Sequence, residues 1–171
     1  VTIPWLSIFI TVFQKGSEAF HSSYLTDDMR ITPSGDDLQY GGIAHAIVGT
    51  MLMVLVATVI SVPFGIIAAV YIVEVKGRFA GLIRFLVQAM SGVPSIVAGL
   101  FVYSTVVIAF GGFSAWAGAI ALSILMLPTV ARTSEEVLKL VSVDLRTSSA
   151  ALGATQARTV FTVVIPTVAS G

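Results

Sequence analysis

Between Ile43 and Val73 the chain runs for 31 residues without an aspartate, glutamate, lysine or arginine. About 20 apolar residues carry a helix across the ~30 Å hydrocarbon core of a bilayer. As one straight helix this run would measure about 46 Å. It must therefore tilt, protrude or bend. Pro63 offers the bend, because proline removes one backbone donor and crowds the preceding turn. No water satisfies peptide groups inside lipid, so a run of this kind crosses only as a helix. Two further apolar runs follow, Phe79–Phe110 and Ser114–Val130. Soluble domains carry about 25% charged residues; this chain has 11%, with 56% apolar residues and a mean hydropathy of +0.98. It cannot cover itself with a polar surface. The fold class is an all-α polytopic membrane protein, a bundle of transmembrane helices.

The whole chain, 1–171, reads as a single transmembrane domain. Residues 1–13 are apolar but too short to cross, and are expected to be the end of a truncated span. Residues 14–42 form a polar loop with its clearest turn signal at Thr32-Pro33-Ser34-Gly35-Asp36-Asp37. Residues 43–75, 79–110 and 114–131 are spans, 132–158 a polar loop, and 159–171 the start of a further span. The chain is thus expected to be a fragment of a longer protein.

A formal net charge of zero conceals a strong segregation. Lys76, Arg78, Arg84, Arg132, Lys139, Arg146 and Arg158 flank one side of the spans, against Lys15 and Arg30 on the other. Glu18, Asp27, Asp28, Asp36 and Asp37 share the second side. Basic residues are retained in the cytoplasm. The 132–158 loop is therefore expected to be cytoplasmic and the 14–42 loop external, in a multi-pass protein of the cytoplasmic (inner) cell membrane.

The 132–158 loop is too long for a plain connector and too regular for disorder. Thr133-Ser134-Glu135-Glu136 fits a capping box, with Val137, Leu138, Leu140 and Val141 as an apolar face and Glu135 and Lys139 four apart. Farther on, Leu145, Ser149 and Leu152 stand at i, i+4 and i+7, one face of a short helix. Gly153 supplies a stop and Thr155 an N-cap for the next helix. The short helix either rests on lipid headgroups or seats in a groove of an attached cytoplasmic protein. Leu145, Arg146, Ser149, Ala150, Leu152 and Gly153 are the candidate docking residues.

Within the second span, Ser91-Gly92-Val93-Pro94-Ser95 places a glycine and a proline two residues apart, roughly 14 Å past the interface. Such a break frees backbone N–H groups at the start of a half-helix. They must face protein or water, and they suit an anion. The alternative is a packing kink with a small-residue face. At the inner end of the third span, Arg132 can hold an oxyanion through a bidentate fork. Glu135, three residues on, can hold that arginine when no anion is present. The competing role for Arg132 is a plain anchor at the interface. Ser91, Pro94, Ser95, Arg132 and Glu135 are the candidate substrate-path residues.

The chain has no cysteine, and its two histidines, His21 and His45, lack ligand spacing, so no metal site is expected. Gln88 either lines the path or bonds a neighbouring helix, the second reading being the simpler. No Walker-type glycine loop is present, so the chain is expected to bind no cofactor and to be no enzyme on its own. Paired carboxylates for a proton relay are lacking, and the few bases flank the membrane, so no nucleic-acid partner is indicated.

Gly153, nine residues, then Val163-Val164-Ile165-Pro166 resembles the inner-loop signature of permease subunits of ABC importers. That signature reads Glu-Ala-Ala, three residues, Gly, nine residues, Ile, any, Leu, Pro. Thr147, Ser148 and Ser149 stand where it has Glu-Ala-Ala. This removes the ionic contact a glutamate would make but not the helix-turn geometry. The runs Pro94-Ser95-Ile96-Val97-Ala98-Gly99-Leu100-Phe101 and Leu127 to Glu136 further resemble phosphate-specific permeases of the PstA and PstC type, with the spacing on the PstA side. The resemblance implies the type I importer permease fold, with the short helix as the coupling helix. It also implies passage of inorganic phosphate by alternating access. The implied partners are a homologous second permease subunit, two cytoplasmic ATP-binding subunits holding ATP and Mg, an extracytoplasmic phosphate-binding protein, and the lipid bilayer. The alternatives are a permease for another oxyanion or small solute, an ATP-independent channel or transporter, or a structural membrane subunit.

Overall fold

The computed structural model describes residues 2–19, 24–28, 42–75 and 77–170. Every regular element among them is helical. The chain separates into two units, 1–52 and 53–171.

In the first unit, α1 (Thr2–Ala19) shows Ile3, Trp5, Phe9 and Phe13 on its surface. It continues past the apolar 1–13 stretch through Gln14 and Lys15. Helix α2 (Ala44–Glu74) begins in this unit. Backbone bonds hold its entry: Gly42, Ile43 and Ala44 donate their N–H groups to the carbonyls of Asp28, Tyr24 and Asp27. These bonds occupy donors that a helix start leaves without intrahelical partners. A Cβ on Gly42 would stand 2.1 Å from the Asp27 carbonyl oxygen, so only glycine fits there. The turn at 32–37 and His21 lie outside the described residues.

The second unit holds the rest of α2 and six more helices. Helix α2 passes through Pro63 without interruption and reaches Glu74. Ala57, Ser61, Gly65, Ala69 and Ile72 form its buried stripe, at spacings of three and four. Hydrophobic burial cannot drive helices together in lipid, so close backbone approach must do so, and small residues permit it. Here Gly65 meets Val130, and Ser61 Oγ donates to the Ser123 carbonyl at 3.1 Å. The opposite face, with Leu55, Val59, Phe64 and Ile67, is exposed.

Helices α3 (Arg78–Ser91) and α4 (Ser95–Val102) diverge by 100° at Gly92–Pro94. The break falls where the Gly-Val-Pro run places it, but 79–110 is not one gently kinked rod. After α4 the backbone widens into a π turn over Tyr103–Val107, with Ile108 N–H bonded to the Tyr103 carbonyl. Gly111, at φ +73°, turns the chain.

Helix α5 (Ala115–Lys139) starts at Ser114, whose hydroxyl accepts from Ala117 N–H at 3.2 Å. It packs on α3 and α4 and runs through Pro128. It does not stop at 131 for a new helix to begin at the Thr133 capping box. Thr133 instead bonds back to the Thr129 carbonyl inside one continuous helix. A capping box needs a chain that is already turning, and nothing between Pro128 and Thr133 breaks the hydrogen-bond ladder. Then come α6 (Val143–Ala151), α7 (Gln156–Thr159), a π turn over Val160–Val164 and α8 (Ile165–Ser170). Ala69, Leu138, Val141 and Val164 form one small core where these elements meet α2. Among the described residues two helices, α2 and Ala115–Leu140, are long and apolar enough to cross a membrane; the bent α3–α4 pair makes a third if it counts as one span.

Candidate functional site

Helix α6 is short because it is closed at its C-terminal end. Leu152 leaves the helix and Gly153 takes the left-handed conformation at φ +81°. Gly153 N–H bonds to the Ala150 carbonyl at 2.9 Å and Ala154 N–H to the Ser149 carbonyl at 3.2 Å. This is the Schellman pattern, which glycine adopts without Cβ strain. Thr155 then caps α7, its hydroxyl accepting from Arg158 N–H. The helix, the glycine stop and the new N-cap all stand where the spacing places them.

The face expected to dock is not the face that is free. Ser149 is buried and shares a 2.8 Å hydroxyl–hydroxyl bond with Thr159. Leu145, Ser149 and Leu152 therefore do not share one exposed face. A buried hydroxyl needs a partner, and Thr159 supplies it. Leu152 lies past the last helical residue, off the i, i+7 grid. The exposed apolar set is Leu140 (82%), Val143 (71%) and Leu152 (89%), with Leu145 at its edge and Ala150 also exposed. Val143 was not singled out in the sequence, and Leu140 only as part of an apolar face with Leu138 and Val141, which are buried while Leu140 is exposed; neither falls on the period of the short helix.

Arg146 also turns inward. Its Nη2 donates to the Leu138 carbonyl at 2.8 Å, and its Nη1 lies 3.0 Å from Glu74 Oε1. That second contact is an ion pair off the axis of a hydrogen bond, for neither Glu74 Oε1 nor Arg146 Nε has a hydrogen-bond partner. Gln156 donates its side-chain amide to the Glu74 backbone carbonyl. No role was read in the sequence for Glu74, Gln156 or Thr159. Glu74 lies 72 positions before Arg146, and no local period links them.

Arg132 and Glu135 do not meet. Glu135, 8% exposed, takes Arg84 at 3.1 Å and Lys139 at 2.6 Å on the same oxygen. Arg132 is exposed and joins none of the ion pairs among the described residues. The expectation that Glu135 holds Arg132 is corrected: α3 packs on the buried side of α5 and brings Arg84 to Glu135, whereas Arg132 points away. Arg84 is thus an ion-pair partner of Glu135.

At the break, Ser91 Oγ bonds to the Val87 carbonyl of its own helix at 2.8 Å. Pro94 and Ser95 are exposed, and no side chain caps α4. A cavity of about 260 Å³ beside the break is lined by Met90, Val93, Val97, Ala98, Phe101, Ile124 and Leu125. It offers an oxyanion nothing. No hydrogen bond or ion pair among the described residues joins Ser91, Pro94 or Ser95 to Arg132 or Glu135. No cluster of three or more potential metal ligands occurs among the described residues.

Residues 61–171 match the family model described as the binding-protein-dependent transport system inner membrane component. Among curated relatives, the phosphate transport system permease protein PstA of Yersinia pestis is 44% identical over 170 residues, 98% of this chain and 56% of its own length. PstA 1 of Mycobacterium tuberculosis (strain CDC 1551 / Oshkosh) is 48% identical over 129 residues, 74% of this chain and 42% of its own. PstA of Haemophilus influenzae is 39% identical over 155 residues, 89% and 53% respectively. The chain spans about half the length of the curated relatives it matches. No solved structure matches. With membrane-length helices among its described residues, a glycine-stopped short helix after α5, and a family match over 61–171, the chain belongs to the binding-protein-dependent transport system inner membrane components.

Proposed function

We propose that this chain is part of the transmembrane permease of an ATP-driven importer, which passes inorganic phosphate across the cytoplasmic membrane by alternating access. The observation that carries the reading is the identity of 44% across 98% of the chain to a protein named as a phosphate transport permease. The projecting knob formed by α6 supports it. Leu140, Val143 and Leu152 expose apolar surface at one end of the bundle, as helix-in-groove docking requires. In this reading the knob faces the cytoplasm, because seven of the nine basic residues flank that side.

Two ATP-binding subunits hold ATP and Mg beneath the membrane, and this chain binds no nucleotide itself. A homologous second permease subunit completes the path, and an external binding protein delivers phosphate. Closure of the ATPase pair displaces α6, and the packed helices rock as rigid units. Arg132, exposed in the C-terminal half of α5, is the candidate phosphate contact, its fork suited to two oxyanion oxygens. Thr147 bonds within its own helix to the Val143 and Asp144 carbonyls, so α6 closes without the glutamate of the family signature.

The test is extraction of the full-length protein in mild detergent, followed by uptake of radiolabelled phosphate into proteoliposomes. An ATPase subunit should co-purify, and deletion of Leu145–Gly153 should abolish that association. Arg132→Lys should reduce uptake far more than assembly. Retained association after the deletion would refute the docking role, and unchanged uptake in Arg132→Lys would leave Arg132 an anchor only.

A further inference from the structure

The geometry points to Arg146 as the positioning residue that carries a displacement of α6 to the end of α2, with Glu74 as its receiver. This rests on the importer reading above. Arg146 is in the middle of α6, yet its side chain faces away from the exposed Leu140, Val143 and Leu152 and is 23% exposed. One planar guanidinium touches two other helices: the Glu74 carboxylate at the last residue of α2, and the Leu138 carbonyl in the last turn of α5. Lysine, a compact charge on a flexible stem, lacks the rigid fork that fixes the two directions relative to each other. Glu74 is gripped a second time, by the Gln156 amide on its backbone carbonyl. Both sides of the Gly153 turn thus hold the same residue. A carbonyl at the end of α2 that lacks an intrahelical donor receives one from the start of α7, just past the Gly153 turn.

Burial argues against simple fold reinforcement. The Glu74 side chain is 10% exposed, and for an ion pair so removed from water, desolvation offsets most of the Coulomb attraction. What remains is geometric specificity. The contact also has slack in one sense. Arg146 Nε has no partner and Nη1 meets Oε1 off-axis, so the fork can follow a small movement of α6 by exchanging nitrogens on the carboxylate instead of letting go. Helix α2 is the longest element of the structure and its inner end is Glu74. A pull there acts on the stripe Ser61, Gly65 and Ala69 that packs into the bundle.

The experiment uses the full-length chain assembled with its partner subunits in proteoliposomes, with Arg146→Gln, Arg146→Lys, Glu74→Gln and the double Gln variant. Inorganic phosphate uptake, ATP hydrolysis and subunit ratio are read for each. Arg146→Gln and Glu74→Gln should each lower uptake at least tenfold, with hydrolysis and subunit ratio within twofold of wild type. The double variant should be no worse than either single one, and Arg146→Lys should fall between. Uptake within twofold of wild type in Arg146→Gln would overturn the inference. So would additive losses, or parallel loss of uptake, hydrolysis and assembly in every variant, Arg146→Lys included. Hydrogen exchange supplies a readout independent of phosphate. ATP with vanadate should change protection of residues 66–74 in the wild-type complex but not in Arg146→Gln; an equal change in both would also overturn it. A wild-type complex that hydrolyses ATP and shows that protection change, yet takes up no phosphate, would refute the phosphate reading and leave the clamp standing.

Discussion

Gly65→Ala isolates what holds α2 against α5. Alanine is favoured over glycine in a helix interior by about 1 kcal/mol, so propensity alone makes the change stabilising. The structure reverses the sign. A Cβ at Gly65 would lie 2.7 Å from Val130 Cγ1, 2.9 Å from Val130 Cβ and 3.2 Å from the Ala131 nitrogen. Ordinary carbon contacts begin near 3.5 Å, so the helices must part by roughly 0.7 Å or the Val130 side chain must turn. Two of the three obstructing atoms are backbone or Cβ, which a rotamer change cannot remove. Overpacking of this kind costs ~1–3 kcal/mol. Parting the helices also strains the buried Ser61–Ser123 bond one turn away, where such interhelical bonds average about 0.6 kcal/mol. The net is a destabilisation of about 1–2 kcal/mol. Gly49, in the same helix with nothing within 4 Å, is the internal control; there alanine should be neutral or stabilising. Thermal unfolding of the full-length protein in detergent, followed by tryptophan fluorescence, compares the two. Val130→Ala should restore part of the Gly65→Ala loss. Equal midpoints for Gly65→Ala and Gly49→Ala would refute the close-approach argument.

Ser149→Ala should cost about 1 kcal/mol by leaving the buried Thr159 hydroxyl unpaired, and adding Thr159→Val should recover much of it; an additive double variant in the same unfolding assay would contradict the pair. Gly153→Ala should lose ~1–2 kcal/mol, entirely from backbone strain at φ +81°, since nothing lies within 4 Å of its Cβ position; a smaller loss for Gly153→Asn would confirm the cause. Leu152→Asp and Leu140→Asp should leave the unfolding midpoint nearly unchanged, as both side chains are exposed, while reducing recovery of an ATPase subunit in pull-downs by tenfold or more. Retained recovery would place the docking surface elsewhere.

Contacts between neighbours in sequence were legible; contacts between distant residues were not. The Gly-Val-Pro break, the Gly153 stop and the Thr155 cap each depend on backbone chemistry within a few residues, and each stands where a reader of the chain would place it. Three local readings failed, two because a distant element intervened and one because a helix was already running. Ser149 sits on a helix period but is claimed by Thr159. Arg132 and Glu135 are correctly spaced to meet, but α3 delivers Arg84 to Glu135 first. Thr133-Ser134-Glu135-Glu136 has capping-box chemistry, yet α5 is already helical on both sides of it.

Membrane residence was determined by the sequence alone, because a 31-residue uncharged run has no stable alternative to a helix in lipid. So were the break at Gly92–Pro94 and the stop at Gly153, since these residues act on their own backbone. Which side of α6 is free, and which charges are paired, only the tertiary structure decided. Those depend on whether α2 and α5 end beside Arg146, and on a close approach at Gly65 that period and composition do not encode.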